Sequence, residues 1–244
     1  MSLRNIHIGT SGYNYKHWKG PFYPEDVPQN KWLEFYAQRF LTLEINNTFY
    51  NLPKKETFEH WRQTVPRNFT FAIKASRYIT HMKKLNEPKD ALLNLFDHVQ
   101  VLQDKLGPIL FQLPPQWHVN LERLESFLDL LPPEFRYVIE FRDHTWWNDD
   151  VYELLSKNNV TFCIYELAGV QTPKTITADF VYIRLHGPED AYEGQYDNKT
   201  LSGWAGAIST WRDQNKPVYC YFDNDQNGYA AQDAWTLKEM FNSS

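Results

Sequence analysis

Eight short apolar runs, separated by amphipathic stretches, constrain this chain more than any other feature of its sequence. They are Ile6 to Gly9, LTLEINNTFY, FTFAIKAS, ILFQLPP, YVIEF, Val160 to Tyr165, FVYIRLHG and VYCYFDND. The stretches between them read as helices over about 31–40, 55–65, 91–106, 121–131, 149–157, 200–212 and 230–241. Phe58, Trp61 and Val65 fall at helical spacing before Pro66 stops the second, and Leu121, Leu124, Phe127, Leu128 and Leu131 form one stripe of the fourth. Between Glu166 and Asp179 no helix is predicted, because Gly169 and Pro173 punctuate the segment. Strand and helix in alternation predict parallel βαβ units, and eight of them in 244 residues predict one (β/α)8 TIM-type barrel with an irregular sixth helical unit. The whole chain, 1–244, reads as one domain, with no low-complexity segment or linker to divide it. An open doubly wound sheet is the competing architecture, but GTSGY after the first run is not the GxGxxG turn of a dinucleotide fold.

Within the runs, polar residues alternate with large apolar ones, so each strand offers one polar face. Those faces carry Glu44 and Asn46, Lys74, Gln112, Glu140 with Arg142, Arg184 with His186, and Asp223 at the end of the last run. All lie near the C-terminal ends of their strands, the end where barrel enzymes build their sites. The stretch YVIEFRDHTWW, with Glu140 and Arg142 two apart on one face, is the centre of this constellation. Aromatic residues make up 16% of the chain, with nine Trp. Trp18 in the long loop after the first run, Trp146, and Tyr192 and Tyr196 in the loop after the seventh are therefore candidate ligand-stacking side chains.

The segments IGTSGYNYKHWKGPFYP, LEINNTFYNLP, FAIKASRYITH, LGPILFQLPPQW, IEFRDHTWW, IRLHGP and YFDNDQNGYAAQDA, in that order, resemble the YecE-like family, a domain of unknown function. The resemblance runs nearly end to end and implies a TIM-type barrel, but it supplies no activity or catalytic roles. One departure is visible. The family's last strand usually reads Phe-Asn-Asn, whereas Asp223 follows Phe222 here.

Function is therefore argued from the polar constellation. The favoured reading is a pocket for a small anionic ligand, phosphorylated or nucleotide-like, with Lys74, Arg142, Arg184 and His186 as positive donors and Glu140 or Glu44 as general base. A surplus of cations at the mouth is expected, with His186 titrating near 6.5 so that affinity rises as pH falls. Catalytic roles thus fall to Glu140, Glu44, His186 and Lys74, and ligand contacts to Arg142, Arg184, Gln112, Asn46 and Asp223 with the four aromatics. No cofactor is assigned. Glu44, Glu140, His186 and Asp223 are nevertheless the ligand types a divalent metal takes in phosphodiesterase- or isomerase-like barrels. Glu44 with Glu140 as the acid and base of a glycoside hydrolase is a further alternative. A binding module that stacks nucleic acid or peptide is another. The net charge of −5 disfavours general nucleic-acid binding. Cys163 and Cys220 sit in apolar runs and read as buried thiols, and no signal-like or membrane-spanning segment appears, so a cytoplasmic protein is expected.

Overall fold

Neighbouring residues along each strand fall into two separate hydrophobic clusters, and this separation shows how the strands are arranged. In the computed structural model, which describes residues 5–242, Ala72, Leu110, Val138, Cys163, Tyr182 and Tyr221 belong to one cluster. Phe71, Phe111, Ile139, Ile183 and Cys220 belong to the other, with helix residues such as Phe58, Leu124, Leu155 and Leu237. The first set fills the inside of a curved layer of strands, and the second packs between that layer and the helices outside it.

The chain runs β1 (Ile6–Thr10), α1 (Trp32–Ala37), β2 (Thr42–Ile45), α2 (Asn47–Tyr50), α3 (Lys55–Thr64), β3 (Thr70–Lys74), α4 (Lys89–Val99), β4 (Leu106–Gln112), α5 (Leu121–Leu128), β5 (Tyr137–Glu140), α6 (Asp149–Lys157), β6 (Thr161–Phe162), β7 (Ile164–Leu167), β8 (Val170–Gln171), β9 (Val181–Leu185), α7 (Asn198–Asp213), β10 (Val218–Phe222) and α8 (Tyr229–Asn242). Asn120, Asn148 and Asp197 cap α5, α6 and α7 by accepting from a backbone N–H of the first turn. Two elements differ from the sequence reading. The second strand stops at Ile45 and the following Asn47–Tyr50 forms a single helical turn. The helix expected to run to residue 106 ends at Val99 and continues as a 3-10 segment broken at Gln103, whose φ is 52°. The helix-free stretch after Glu166 holds β8, which pairs antiparallel with β7.

The strands form two five-stranded sheets, β1-β10-β9-β7-β8 and β2-β3-β4-β5-β6, and every pairing except β7 with β8 is parallel. The fold is thus α/β with a TIM-barrel-like alternation, but a continuous hydrogen-bonded ring is not what its ladders draw. The reason lies at two seams. Between β1 and β2 the Tyr36 hydroxyl, from α1, accepts from Thr10 N at 2.9 Å and donates to Thr42 O at 3.0 Å, so a side chain bridges the two backbones where ladder bonds would run. Gly9 is required there, since a Cβ would stand 2.3 Å from the Thr42 carbonyl oxygen. Above it, Ser11 and Glu44 form a lone parallel bridge, with Gly12 N donating to Glu44 O. At the other seam β6 and β7 are one run that changes sheets at Cys163, and Phe162 N donates to the Thr177 hydroxyl instead of to a strand.

Tyr36→Phe tests the first seam. It keeps the ring but leaves Thr10 N and Thr42 O without their shared partner, and a buried unsatisfied group costs about 1–3 kcal/mol. The urea midpoint should fall accordingly with an unchanged m-value; an unaltered midpoint would mean that water or a shifted ladder replaces the hydroxyl.

Candidate functional site

The inward-facing set that fills the inside of the curved strand layer lower down becomes charged at the C-terminal strand ends. Following Thr42, the β2 face continues to Glu44; following Val138, β5 continues to Glu140 and then Arg142; following Tyr182, β9 continues to Arg184 and His186; following Tyr221, β10 continues to Asp223. Alternation brings these side chains to one level, and Arg184 stands at their centre. Its Nε is 3.1 Å from both Glu44 carboxylate oxygens, and its Nη2 lies 2.7 Å from Glu44 Oε1, 2.9 Å from Asp223 Oδ2 and 2.9 Å from Ser11 Oγ. Nη1 donates to Glu140 Oε2 at 2.8 Å. Arg184, Glu44 and Glu140 are all fully buried. Three carboxylates thus converge on one guanidinium, whose planar fork suits such recognition.

Arg142 Nε donates to the other oxygen of Glu140. Its Nη2 lies 3.0 Å from His186 Nε2, which Arg184 Nη1 also approaches at 3.3 Å. A ring nitrogen facing two guanidinium donors must be the acceptor, so His186 is neutral and its proton is on Nδ1. That nitrogen lies 3.0 Å from Asp223 Oδ2, its N–H off the line of a good hydrogen bond. Burial first, then Arg184 and Arg142, lower its pKa to about 4. Burial pushes Glu140 upward, but Arg142 and Arg184 outweigh it and hold the carboxyl well below the usual range. Asp223 is likewise lowered against its burial, chiefly by Arg184.

The expected surplus of positive charge is corrected by this geometry. Glu44, Glu140 and Asp223 balance Arg142, Arg184 and Lys74, and His186 adds nothing near neutral pH. Arg184 is consumed by its partners and has no face for a ligand. Lys74 is different: half-buried, it makes no hydrogen bond or ion pair through Nζ among the described residues, and Nζ stands 4.3 Å from the centre of the Phe49 ring. Burial, helped by Arg184 and opposed by the carboxylates, lowers its pKa to about 8.

Several candidates fall elsewhere. Trp18 is fully buried and donates to Asp225 O, and Trp146 is fully buried and donates to Trp117 O, so neither stacks on a ligand. Tyr196 is buried as well; its hydroxyl accepts from Gly187 N, and its own N–H donates to Asp233, pinning the loop after β9. Tyr192 does reach the site, with its ring 5.5 Å from His186 and 42% of its surface exposed. Gln112 lies beside Glu140 in the β4–β5 register, half-buried. Asn46 donates to Ser11 Oγ at 2.6 Å and its Oδ1 has no donor. Sequence reading missed Ser11, which gives its proton to Glu44, and Tyr182, whose hydroxyl donates to Glu44 Oε2 at 2.5 Å. Both were legible: Ser11 immediately follows the first strand, and Tyr182 shares the face of Arg184 and His186. Among the described residues no group of three or more His, Cys, Asp or Glu side chains is arranged to hold a metal ion. Nor is any described helix long and apolar enough to cross a membrane.

The family model described as "Protein of unknown function DUF72" matches residues 7–244. UPF0759 protein YunF of Bacillus subtilis is 23% identical over 269 residues, covering 96% of this chain and 94% of its own. UPF0759 protein YecE of Escherichia coli is 35% identical over 111 residues, 45% of this chain and 41% of its own. The crystal structure of a DUF72 family protein from Thermotoga maritima superposes with a TM-score of 0.89 at 25% identity, over 97% of this chain and 99% of that one.

Proposed function

This chain belongs to the DUF72 family of proteins of unknown function, and from that premise we propose that it binds a small anionic ligand at the C-terminal strand ends, with Lys74 as the capturing cation. The observation that carries the reading is Lys74 itself, the one cation of that balance left without a carboxylate in ion-pair reach among the described residues. Arg142 supports it: Nε and Nη2 are engaged by Glu140 and His186, which leaves Nη1 as a second donor. With a pKa of about 8, Lys74 also carries a proton it can give up near neutral pH, which suits it to acid–base work on whatever is bound. Glu140, held ionised by two guanidiniums, is better suited to orient Arg142 than to serve as a base. The position that three carboxylates would offer a divalent cation is taken by the Arg184 guanidinium, so the reading involves no metal. We read the two sheets as halves of one (β/α)8 ring, joined at Tyr36 and at Cys163, and the two buried, unpaired cysteines as suited to the cytoplasm.

Calorimetric titration with inorganic phosphate tests this. Lys74→Met should weaken binding about 10- to 100-fold, the worth of a hydrogen bond to a charged group, while Lys157→Ala on an exposed helix end leaves it unchanged. Because the binding form is the protonated one, affinity should fall as pH rises through about 8, and not with the titration near 6.5 that a free His186 would give. No saturable binding in the wild type, or equal affinity in Lys74→Met, would overturn the reading.

A further inference from the structure

The lysines that lie at least half-buried in this protein divide into two kinds. Lys105 gives Nζ to the main-chain carbonyls of Arg62 and Val65, Lys216 to that of Ala178 and Lys238 to that of Arg39, so each holds a piece of backbone in place. Lys74 has no such oxygen in reach among the described residues, and its Nζ rests 4.3 Å from the centre of the Phe49 ring. Its backbone is nevertheless fixed. Lys74 pairs with Leu110 in the β3–β4 ladder, Ala75 N donates to Leu110 O at 2.8 Å, and Thr48 donates to Lys74 O at 2.7 Å. A rigid strand end carrying an amine with no acceptor is the placement a reacting side chain needs and a structural one does not.

The surroundings make the uncharged amine accessible. Burial, and after it the Arg184 guanidinium, bring the ammonium down to about 8, and desolvation beside another cation is a way in which a lysine becomes a nucleophile near neutral pH. The same surroundings suit a negatively charged partner. The Phe49 ring under Lys74 Nζ also meets the His81 ring edge-on at 5.1 Å, and His81 Nδ1 lies 2.9 Å from the Thr80 hydroxyl. His81 is held below its ordinary pKa by burial and then by the charges of Lys74, Arg77 and Arg142. Two guanidiniums therefore act on the same place as Lys74, and they keep it positive after the amine has lost its own proton.

We propose that Lys74 is a nucleophile that forms an imine with a small aldehyde or ketone carrying a phosphate or carboxylate. This deepens the anion reading above and rests on it for the charged part of the substrate. The ammonium form draws the anion in, and the neutral amine adds to the carbonyl carbon. A C–N bond forms as the C=O π bond breaks, giving a carbinolamine. The two amine protons then leave with the carbonyl oxygen as water, so that C=N replaces C=O with no change of oxidation state.

The test incubates wild-type protein with glycolaldehyde phosphate, or with glycolaldehyde, in the presence of cyanoborohydride, which reduces C=N to a stable secondary amine. Intact mass and peptide mapping then count and place the adduct. Glycolaldehyde phosphate should label Lys74 about tenfold faster than the exposed Lys157, and about tenfold faster than glycolaldehyde labels Lys74, the worth of one hydrogen bond to a charged group. Lys74→Arg, which keeps a positive charge but has no nucleophilic amine, should lose that adduct. Labelling that misses Lys74, or that is no faster there than at Lys157, overturns the imine; saturable phosphate binding by the same wild-type protein in calorimetry then leaves the anion reading standing. Equal rates for the two aldehydes at Lys74 overturn the anionic substrate class, and absence of phosphate binding overturns the anion reading on which that class rests.

Discussion

Arg184→Met should remove on the order of 3–5 kcal/mol of folding stability, the scale measured when one member of a buried charge pair is deleted, out of a total of about 5–15 kcal/mol for a typical domain. The effect is large because Met fills much of the volume but leaves Glu44, Glu140 and Asp223 facing one another without the guanidinium that holds them at 2.7–2.9 Å. Arg184→Lys should recover little, since a point charge on a single nitrogen cannot meet three carboxylates as a fork does. Neutralising the stranded partners in the same background, with Glu44→Gln and Glu140→Gln, should restore part of the loss, which is the signature of coupled residues. Urea denaturation of the four proteins measures this. A loss below about 1 kcal/mol for Arg184→Met, in the range of exposed pairs, would show that the carboxylates regain water and that the cluster is not structural. The same reasoning corrects the sequence-based expectation that Arg184 contacts a ligand directly.

Acid should destabilise the protein well above the pH at which ordinary carboxylates titrate. His186 is fully buried and held neutral, with a pKa lowered from 6.5 to about 4. The unfolded chain therefore binds a proton between those values that the folded one refuses. The stability this supplies is complete above 6.5 and is lost as pH falls toward about 4, roughly 3 kcal/mol over the window. Below it, the depressed Glu140 and Asp223 carry the loss further, since their stabilisation disappears as they are protonated. The groups facing His186 act together: Arg184 from β9, Arg142 and Glu140 from β5, Asp223 from β10, with the Tyr165 and Tyr192 rings on either side. His186→Gln, which cannot take up the proton, should flatten the dependence between pH 6.5 and 4; His7, lowered to about 4 by burial and Arg136, retains part of it. Equal slopes for variant and wild type in chemical denaturation across that window would place the acid sensitivity elsewhere.

What could be read from the sequence follows a physical division. The period-two alternation that placed Glu44, Lys74, Glu140, Arg184 and His186 on one face is a local property, and the structure gathers all of them at one end. Their pairing is not local. Arg184 and Glu44 are separated by 140 positions, and no pattern within a strand tells which carboxylate a guanidinium will choose, so the balance of charge was misjudged. Asp223, read from the sequence as a ligand contact or metal-ligand type, is instead the third carboxylate that removes the surplus. The aromatic residues failed differently. Composition says that a loop is rich in rings but not which side they face, and Trp18, Tyr15, Tyr23 and Trp32 pack largely on one another, the last two stacked at 4.5 Å. The rings that face solvent beside the mouth, Tyr50 and Tyr192, come from one short turn read as strand and one loop.

The two-sheet arrangement also orders the assembly of the molecule in time. The sheet β2 to β6 is built wholly from consecutive strands, each closing a short loop on its neighbour, whereas the other joins Ile6 to Val218 across nearly the whole chain. Loop-closure entropy favours the first sheet as the earlier structure. Glu44 and Glu140 belong to that early half and Arg184, His186 and Asp223 to the late one. During folding the two carboxylates therefore lack their guanidinium until the second half docks, and the charge cluster around Arg184 comes into being in the same event that completes the chain's long-range closure. A chain still emerging from the ribosome, with β10 not yet made, lacks the third carboxylate of that cluster.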